Sequence, residues 1–179
     1  SNQPECDMAI QDILNEAIVT DNNESPVKIV VDNVEGISSG LKTKISDEFE
    51  YCLNLLNFKS RGYDIFKKWY IDGRLYYHMA IDVKAPKKGI QEVRNVDPRR
   101  LKKIRVQKKD KKADGTIIYK GKESFYVYYQ QNYQPGFTAP GTKVVKIAED
   151  CIASSHSGLM SEKNTMIYSH LQKAIKPLN

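Results

Sequence analysis

The sequence predicts an α+β fold in which helices flank a small twisted antiparallel sheet or a partly open barrel. Apolar residues recur at helical spacing near both ends of the chain, whereas its middle holds short β-branched and aromatic runs separated by turn signals. With 179 residues and a hydrophobic fraction of 40%, the chain suits one domain, or one domain with an appendage.

The beginning of the chain is predicted to form two helices with a strand between them. Pro4 fits a first helical turn, and Ile10 and Leu14 belong to an apolar stripe at helical spacing. The β-branched run Val27–Val31 predicts a short strand. Ser46 is the predicted N-cap of the second helix.

A third helix is predicted from about Tyr63 to Tyr70, after a break at Arg61-Gly62. Asp72-Gly73 then turns the chain into the first strand of the middle part. The helix is expected to contribute four side chains to the structural core: Ile65, Phe66, Trp69 and Tyr70.

The middle of the chain is predicted to be a series of short strands. Runs 74–81 and 90–96 look extended, and Asp114-Gly115 is a strong hairpin signal before a strand at 116–119. Gly121 is predicted to turn the chain into a strand at 123–130, in which Phe125 and Val127 are expected in the core. Two further short strands are predicted at 143–147 and 151–154.

The end of the chain is predicted to form a closing helix capped by Asn164. His170 is expected on its solvated face. The apolar positions of the helix would be Ile167, Leu171, Ala174 and Ile175.

The positive charge of the chain is concentrated in one segment. Between Arg99 and Lys112 there are nine basic residues and one acidic residue, a local balance of +8, so the total of +6 leaves −2 for the remainder. The segment is a candidate contact for nucleic acid or an acidic partner, while a solvated hairpin arm is the alternative. Its basic residues are Arg99, Arg100, Lys102, Lys103, Arg105, Lys108, Lys109, Lys111 and Lys112.

No motif for catalysis, metal binding or cofactor binding emerges. The chain has no P-loop, GxSxG or HExxH sequence, and its three cysteines form no CxxC pair. An enzyme would need a concave site that gathers residues such as Asp64, Asp72, His78 or His156. No apolar run approaches the roughly 20 residues of a membrane-spanning helix. We therefore predict no catalytic residue, no metal ligand and no cofactor.

Three stretches of the sequence resemble the portal vertex protein family of contractile-tailed, T-even-like phages. They are GYDIFKKWYIDGRLYYH at 62–78, VDPRRLKKIR at 96–105 and YSHLQKAIKPLN at 168–179. The stretches keep their order and span most of the chain, which makes the resemblance far more specific than a short motif.

The resemblance implies a structural fragment from the amino-proximal wing region of a much longer portal protein. Residues 1–73 would then be the helical part of the wing, 74–158 its mostly β part, and 159–179 the start of a helix leading to an absent stem. The family implies a dodecameric ring of portal subunits at one capsid vertex of the virion, assembled in the host cytoplasm. The implied partners are capsid and scaffold proteins, the packaging terminase, neck proteins and the double-stranded DNA that passes through the ring.

The same resemblance weakens the nucleic-acid interpretation of the basic segment, because the wing is expected to face capsid and scaffold more than the channel. It implies no catalytic residues. A basic nucleic-acid-binding module that uses Arg99–Lys112 remains the alternative function. In isolation, without the stem, the piece is expected to be a monomer.

Overall fold

A computed structural model describes residues 4–19, 26–112, 116–130, 143–162 and 165–172. These residues contain helices and two small antiparallel sheets that do not close into a barrel, so the predicted α+β class is confirmed. The chain divides into two compact units. The helical unit comprises residues 1–73 and 157–179, and the β unit comprises residues 74–156. The predicted three-part division at residues 73 and 158 stays a prediction.

The first helix, α1, spans Pro4–Ala17 as predicted and buries Ile10 and Leu14 on one face. The strand predicted at Val27–Val31 is wrong, because these residues adopt no regular structure. Ile29 and Val30 are exposed there. β-Branched residues favour strands mainly through packing against cross-strand neighbours, and a run without such neighbours has little reason to be a strand.

Helix α2 spans Ser39–Leu55, and its N-cap is Ser38, not Ser46. The hydroxyl of Ser38 accepts a hydrogen bond from the backbone N–H of Leu41 at 3.3 Å. The earlier serine therefore satisfies a free N–H of the first turn. Ser46 lies inside the helix, where it needs no capping role.

Helix α3 spans Phe58–Asp72, so the break predicted at Arg61-Gly62 is wrong. The break lies at Asn57, a left-handed residue with φ of 48° between α2 and α3. Gly62 is buried inside α3, and a Cβ there would lie 3.0 Å from the ring of Phe58. Glycine at this position thus reflects close packing, and not a helix end.

The described residues of the β unit form two three-stranded antiparallel sheets with the orders β2-β1-β6 and β3-β4-β5. The first sheet contains β1 Arg74–Ile81, β2 Ile90–Val96 and β6 Ile152–His156. The second sheet contains β3 Leu101–Lys111, β4 Ile117–Tyr129 and β5 Val144–Ala148. One residue from each of four strands forms the core between the sheets: Tyr76, Leu101, Tyr126 and Ile152.

The predicted turn at Gly121 is wrong, because β4 continues through it. Lys108 pairs with Gly121 and the next residue, Lys109, pairs with Tyr119, so β4 carries one extra residue there. Such a bulge bends a strand without ending it. Gly121 permits it with φ of 136°. The predicted Asp114-Gly115 turn lies outside the described residues.

The predicted closing helix is wrong over residues 165–171, where Ile167 instead forms an isolated antiparallel bridge with Met160. The hydroxyl of Ser161 accepts hydrogen bonds from the backbone N–H groups of Thr165 and Met166, each at 3.2 Å. A side chain that binds these groups competes with helix formation. Asn164, Ala174 and Ile175 lie outside the described residues.

Candidate interaction surface

The basic segment begins in a tight turn between β2 and β3. The carboxylate of Asp97 accepts hydrogen bonds from the backbone N–H of Arg99 at 2.9 Å and from its guanidinium at 2.9 to 3.3 Å. This hydrogen bonding holds the pKa of Asp97 below its usual value. Arg100 is half-buried, and its carbonyl accepts the N–H of Tyr129 at 2.9 Å. The side chain of Arg99 and the backbone of Arg100 are thus held in place at this turn.

Strand β3 divides the following basic residues between the two faces of its sheet, because neighbouring side chains alternate. Lys103 lies on the core side with Leu101, where it forms an ion pair with Glu149. Its Nζ also lies 5.5 Å from the centre of the Tyr126 ring. The ion pair lowers the pKa of Glu149. Arg105 shares this side of the strand by alternation.

The opposite side of the second sheet is the outer face, defined by strand alternation and register. Ile104 lies at its centre with Phe125 and Val127, two residues predicted for the core, and all three are half-buried. The outer face also carries a border of ionic residues and exposed valines: Lys102, Val106, Lys108, Glu123, Val144 and Lys146.

Glu123 is held between two lysines on the outer face. Its carboxylate lies 3.0 Å from Nζ of Lys108 and 3.1 Å from Nζ of Lys146. Hydrogen bonds from both ammonium groups lower the pKa of Glu123. Nζ of Lys146 also lies 4.0 Å from the centre of the Phe125 ring, a cation–π distance. The face therefore combines an apolar centre with a cationic border.

The far end of the hairpin carries the remaining basic residues. Nζ of Lys109 lies 5.4 Å from the centre of the exposed Tyr119 ring. Lys111 pairs with Ile117, and the N–H of Lys112 donates to the carbonyl of Thr116 at 2.9 Å. The structure therefore distributes the nine residues over a turn, two sheet faces and a hairpin end, and does not gather them into one groove.

In the helical unit, the predicted core residues of α3 form an aromatic cluster with a histidine. Trp69 and Tyr70 lie 4.8 and 5.1 Å from the ring centre of His170, and the Tyr70 and His170 rings are nearly parallel at 7°. Phe66 completes the cluster, 5.5 Å from Trp69. These residues and Ile65 are half-buried. His170 therefore packs against aromatic rings, and its predicted solvated helical position is wrong.

The end of α3 is hydrogen-bonded to the segment that follows the β unit. We call these contacts of residues 70–73 with residues 157–169 the α3 clasp. Gly73 ends the helix with φ of 70°, which confirms the predicted turn, and its carbonyl accepts the N–H of Ser157 at 2.8 Å. The hydroxyl of Ser157 donates to the carbonyl of Tyr168 at 2.6 Å, and that of Ser169 donates to the carbonyl of Tyr70 at 3.4 Å. Two of the three stretches that carry the family resemblance thus meet here.

Sequence reasoning missed the acidic partners of the basic segment. Glu123 and Glu149 are distant from Lys103 and Lys108 in sequence. The antiparallel register of the hairpin is the signal that places Glu123 opposite Val106 and next to Lys108. The extra residue at Gly121 shifts that register, so counting back from the predicted turn alone does not find the pair.

Within the described part of the chain, no three His, Cys, Asp or Glu residues are arranged to hold a metal ion. The helices described there also lack the combination of length and hydropathy needed to cross a bilayer. Neither search bears on residues outside the described ranges.

Comparison with known proteins identifies the family. The family described as "Bacteriophage T4-like portal protein (Gp20)" matches residues 1–179. The chain belongs to this family. The T4-like portal family thus accounts for the resemblance seen in the sequence.

Two portal relatives show how much of such a protein the chain represents. The portal protein of Vibrio phage KVP40 is 35% identical over 181 residues, covering 98% of this chain and 34% of the relative. The portal protein of Salmonella phage ViI is 29% identical over 189 residues, covering 100% of this chain and 34% of the relative. The chain spans about a third of the length of these relatives.

Proposed function

We propose that this chain is the amino-proximal wing part of a portal subunit, and that its full-length parent forms a dodecameric ring at one capsid vertex. The ring forms the channel for DNA entry and exit, nucleates head assembly, and serves as docking site for the packaging motor and later the neck and tail. Its partners are other portal subunits, capsid and scaffold proteins, the terminase, neck proteins and double-stranded DNA. The observation that carries this proposal is the family match over residues 1–179.

The placement of the candidate catalytic groups favours a structural role over an enzymatic one. Asp64 and Asp72 lie two turns apart on α3. In the β unit, His78 pairs with Ile152 whereas His156 pairs with Arg74, so the two imidazoles are separated along the strands. General acid–base catalysis requires groups that converge on one substrate atom, and neither the two carboxylates of α3 nor the two imidazoles of the first sheet converge in this way.

The alternative of a nucleic-acid-binding module is not favoured. Lys103 already contacts the carboxylate of Glu149, and Arg99 is engaged by Asp97. The basic residues of β3 also alternate between two faces, so a single phosphate backbone would not reach all of them. In the proposed function, the segment contributes to the shape and protein contacts of the wing.

The proposed function is tested on particles of the phage that encodes this chain. Quantitative mass spectrometry of purified virions should detect peptides from both the helical and the β unit at the copy number of one dodecameric ring per particle. Gold-labelled antibody raised against the chain should decorate a single vertex of disrupted heads. The major capsid protein provides the internal standard for copy number.

Two outcomes would contradict the proposed function. The peptides would be absent from virions if the chain belonged to a protein that acts only inside the host. They would match the copy number of the capsid lattice, with antibody at every vertex, if the protein were a shell component.

A further inference from the structure

Helix α1 exposes a face that is acidic along its whole length. Opposite the buried Ile10 and Leu14, four exposed residues follow each other at spacings of three and four, which places them on one side of the helix. The helix has acidic residues but no basic one, and Met8 is 65% exposed. This acidic face consists of Glu5, Met8, Asp12 and Glu16.

The helix dipole explains only part of this pattern. Carboxylates are favourable in a first helical turn, where Glu5 lies, but unfavourable in a last turn, where Glu16 lies. An acidic face that extends to the end of α1, with a methionine in its middle, is instead suited to a partner surface that is cationic and apolar.

The outer face of the second sheet has those two properties. Antiparallel sheets usually pack one face on a core and expose a polar one. Here the exposed face has an apolar centre, and Val106 and Val144 are 44% and 48% exposed. Lys108 and Lys146 contact Glu123, and Lys102 lies further along β3, opposite Val127. With Asp110 on the same side of β3 by alternation, the face holds three lysines and two carboxylates and keeps a positive balance.

We propose that the outer face of the second sheet is a docking surface for the acidic face of α1 from another copy of this chain. The proposal rests on the proposed ring. Met8 packs against the apolar centre formed by Ile104, Phe125 and Val127, and the carboxylates of α1 meet the lysine border. Such charge complementarity fixes the orientation and register of an interface.

The dimensions of the two surfaces match. From Glu5 to Glu16 the acidic face extends about 16 Å at 1.5 Å per residue. The 11 residues of β3 extend about 36 Å, and three strands are about 10 Å wide between the outer strand axes. One helix, itself about 10 Å wide, therefore covers the central part of the outer face.

The contact joins two different surfaces, so each copy has one donor helix and one acceptor sheet. Heterologous contacts of this kind continue from copy to copy and close into a ring when the rotation between neighbours permits it. The acidic face of α1 and the outer face thereby define the two sides of a subunit boundary.

Charge reversal with complementation tests the proposal on the full 179-residue chain. The helix variant carries Glu5→Lys, Asp12→Lys and Glu16→Lys. The sheet variant carries Lys102→Glu, Lys108→Glu, Lys146→Glu and Glu123→Lys, which inverts the face while keeping the ion pairs around position 123. Self-association is measured by sedimentation velocity as a function of concentration.

We expect the chain, which is a monomer when dilute, to associate weakly at high concentration. Each variant alone should associate about tenfold or more weakly than the unaltered chain, because like charges then face each other. An equimolar mixture of the two variants should recover association as a heterodimer, since each variant retains one surface that fits the other. Two charge-matched controls should associate like the unaltered chain: Asp47→Lys, Glu48→Lys and Glu50→Lys on α2, and Lys84→Glu and Lys87→Glu before β2.

Four outcomes would overturn the proposal. The first is an unaltered chain that stays monomeric up to about 1 mM, the concentration at which a contact of about 4 kcal/mol is half formed. The second is a helix variant that associates normally while the sheet variant does not, which would assign the outer face to a different partner. The third is a mixture of folded variants that fails to associate. The fourth is controls that lose association to the same degree, which would make the effect one of net charge.

None of these outcomes changes the virion copy number that tests the proposed function.

Discussion

The β unit and the helical unit are each stabilised internally by a different kind of contact. In the β unit, Tyr76 and Tyr126 meet edge to face at 5.9 Å between two sheets whose strands pair mostly with near neighbours in sequence. In the helical unit, α2 buries no residue, and the end of α3 depends on the α3 clasp, formed with residues that follow the whole β unit. The comparison shows that local signals locate most strands of the β unit, while the end of the helical unit depends on contacts between residues far apart in sequence.

The largest effect is expected from Tyr126→Ala in the β unit. Tyr126 is 2% exposed, and truncating a buried aromatic side chain costs about 3 to 5 kcal/mol through lost contacts and the cavity left behind. Urea unfolding should show this loss, and hydrogen exchange should place it in β3 and β4. Tyr119→Ala is the matched control, since Tyr119 is 57% exposed on the same strand and should change stability by less than about 1 kcal/mol. Equal effects of the two substitutions would exclude Tyr126 as the centre of the core.

Gly73→Ala should be the most disruptive single change in the α3 clasp. A Cβ at this position would collide with the carbonyl of Tyr168, and φ of 70° is unfavourable for alanine. The expected loss is about 3 kcal/mol, from about 1 to 2 kcal/mol of backbone strain and a similar steric cost. Gly36→Ala measures the backbone strain without the steric cost, because Gly36 has φ of 82° with nothing within 4 Å of a Cβ. A Gly73→Ala chain no less stable than Gly36→Ala would show that the clasp tolerates the displacement of Tyr168.

Trp69 sharpens the comparison because its ring is packed, while its N–H has no hydrogen-bond partner among the residues that the structure describes. Trp69 and His170 each have a buried ring nitrogen without a hydrogen-bond partner in the described chain. Trp69→Ala should cost about 2 kcal/mol, since the side chain is half-buried and loses its contacts with Phe66 and His170. Trp69→Phe should cost less than about 1 kcal/mol, because it keeps a ring and removes the unpaired donor. Thermal unfolding checks both. A loss for Trp69→Phe that approaches the loss for Trp69→Ala would indicate that the indole N–H has a partner outside the described residues.

The smallest effect is expected from the ion pairs of the outer face, and it depends on pH. Lys108 and Lys146 lower the pKa of Glu123 in the folded chain. The folded carboxylate therefore binds a proton less readily than the unfolded one, so its contribution is present above the unfolded pKa and is lost as pH falls through the folded pKa. Urea midpoints between about pH 6 and pH 3 should fall less steeply for Glu123→Gln than for the unaltered chain. Parallel curves for the two proteins would show that the ion pairs contribute nothing measurable.

Much of the fold follows from the sequence because its signals are local. The stripe of α1, the runs of β1 and β2 and the turn at Gly73 each depend on a few neighbouring residues. The errors arise where a glycine or serine admits two interpretations. Gly62 and Gly121 were both predicted as breaks, yet one allows close packing inside a helix and the other allows a bulge inside a strand. Only the surrounding structure distinguishes these uses.

The candidate surface was harder to predict from the sequence than the fold. The basic residues are evident in the sequence, but the carboxylates that meet them are set by strand register, and that register is shifted at Gly121. Within β4, alternation makes Tyr126 the buried residue and places Phe125 and Val127 on the outer face. Deciding which set of alternate residues is buried requires the opposing sheet, which supplies Tyr76 and Ile152 to the core. Pairwise contacts across sheets are not encoded in the period of one strand.

The hydrogen bond from Ser169 to Tyr70 joins residues 99 positions apart. A ribosome that adds about 5 to 20 residues per second reaches Ser169 roughly 5 to 20 seconds after Tyr70. During that interval α3 has been synthesised but cannot yet form this hydrogen bond. The ribosome meanwhile synthesises all of the intervening residues 74–156. The hydrogen bond between Ser169 and Tyr70 can therefore form only after the whole inserted unit has been synthesised.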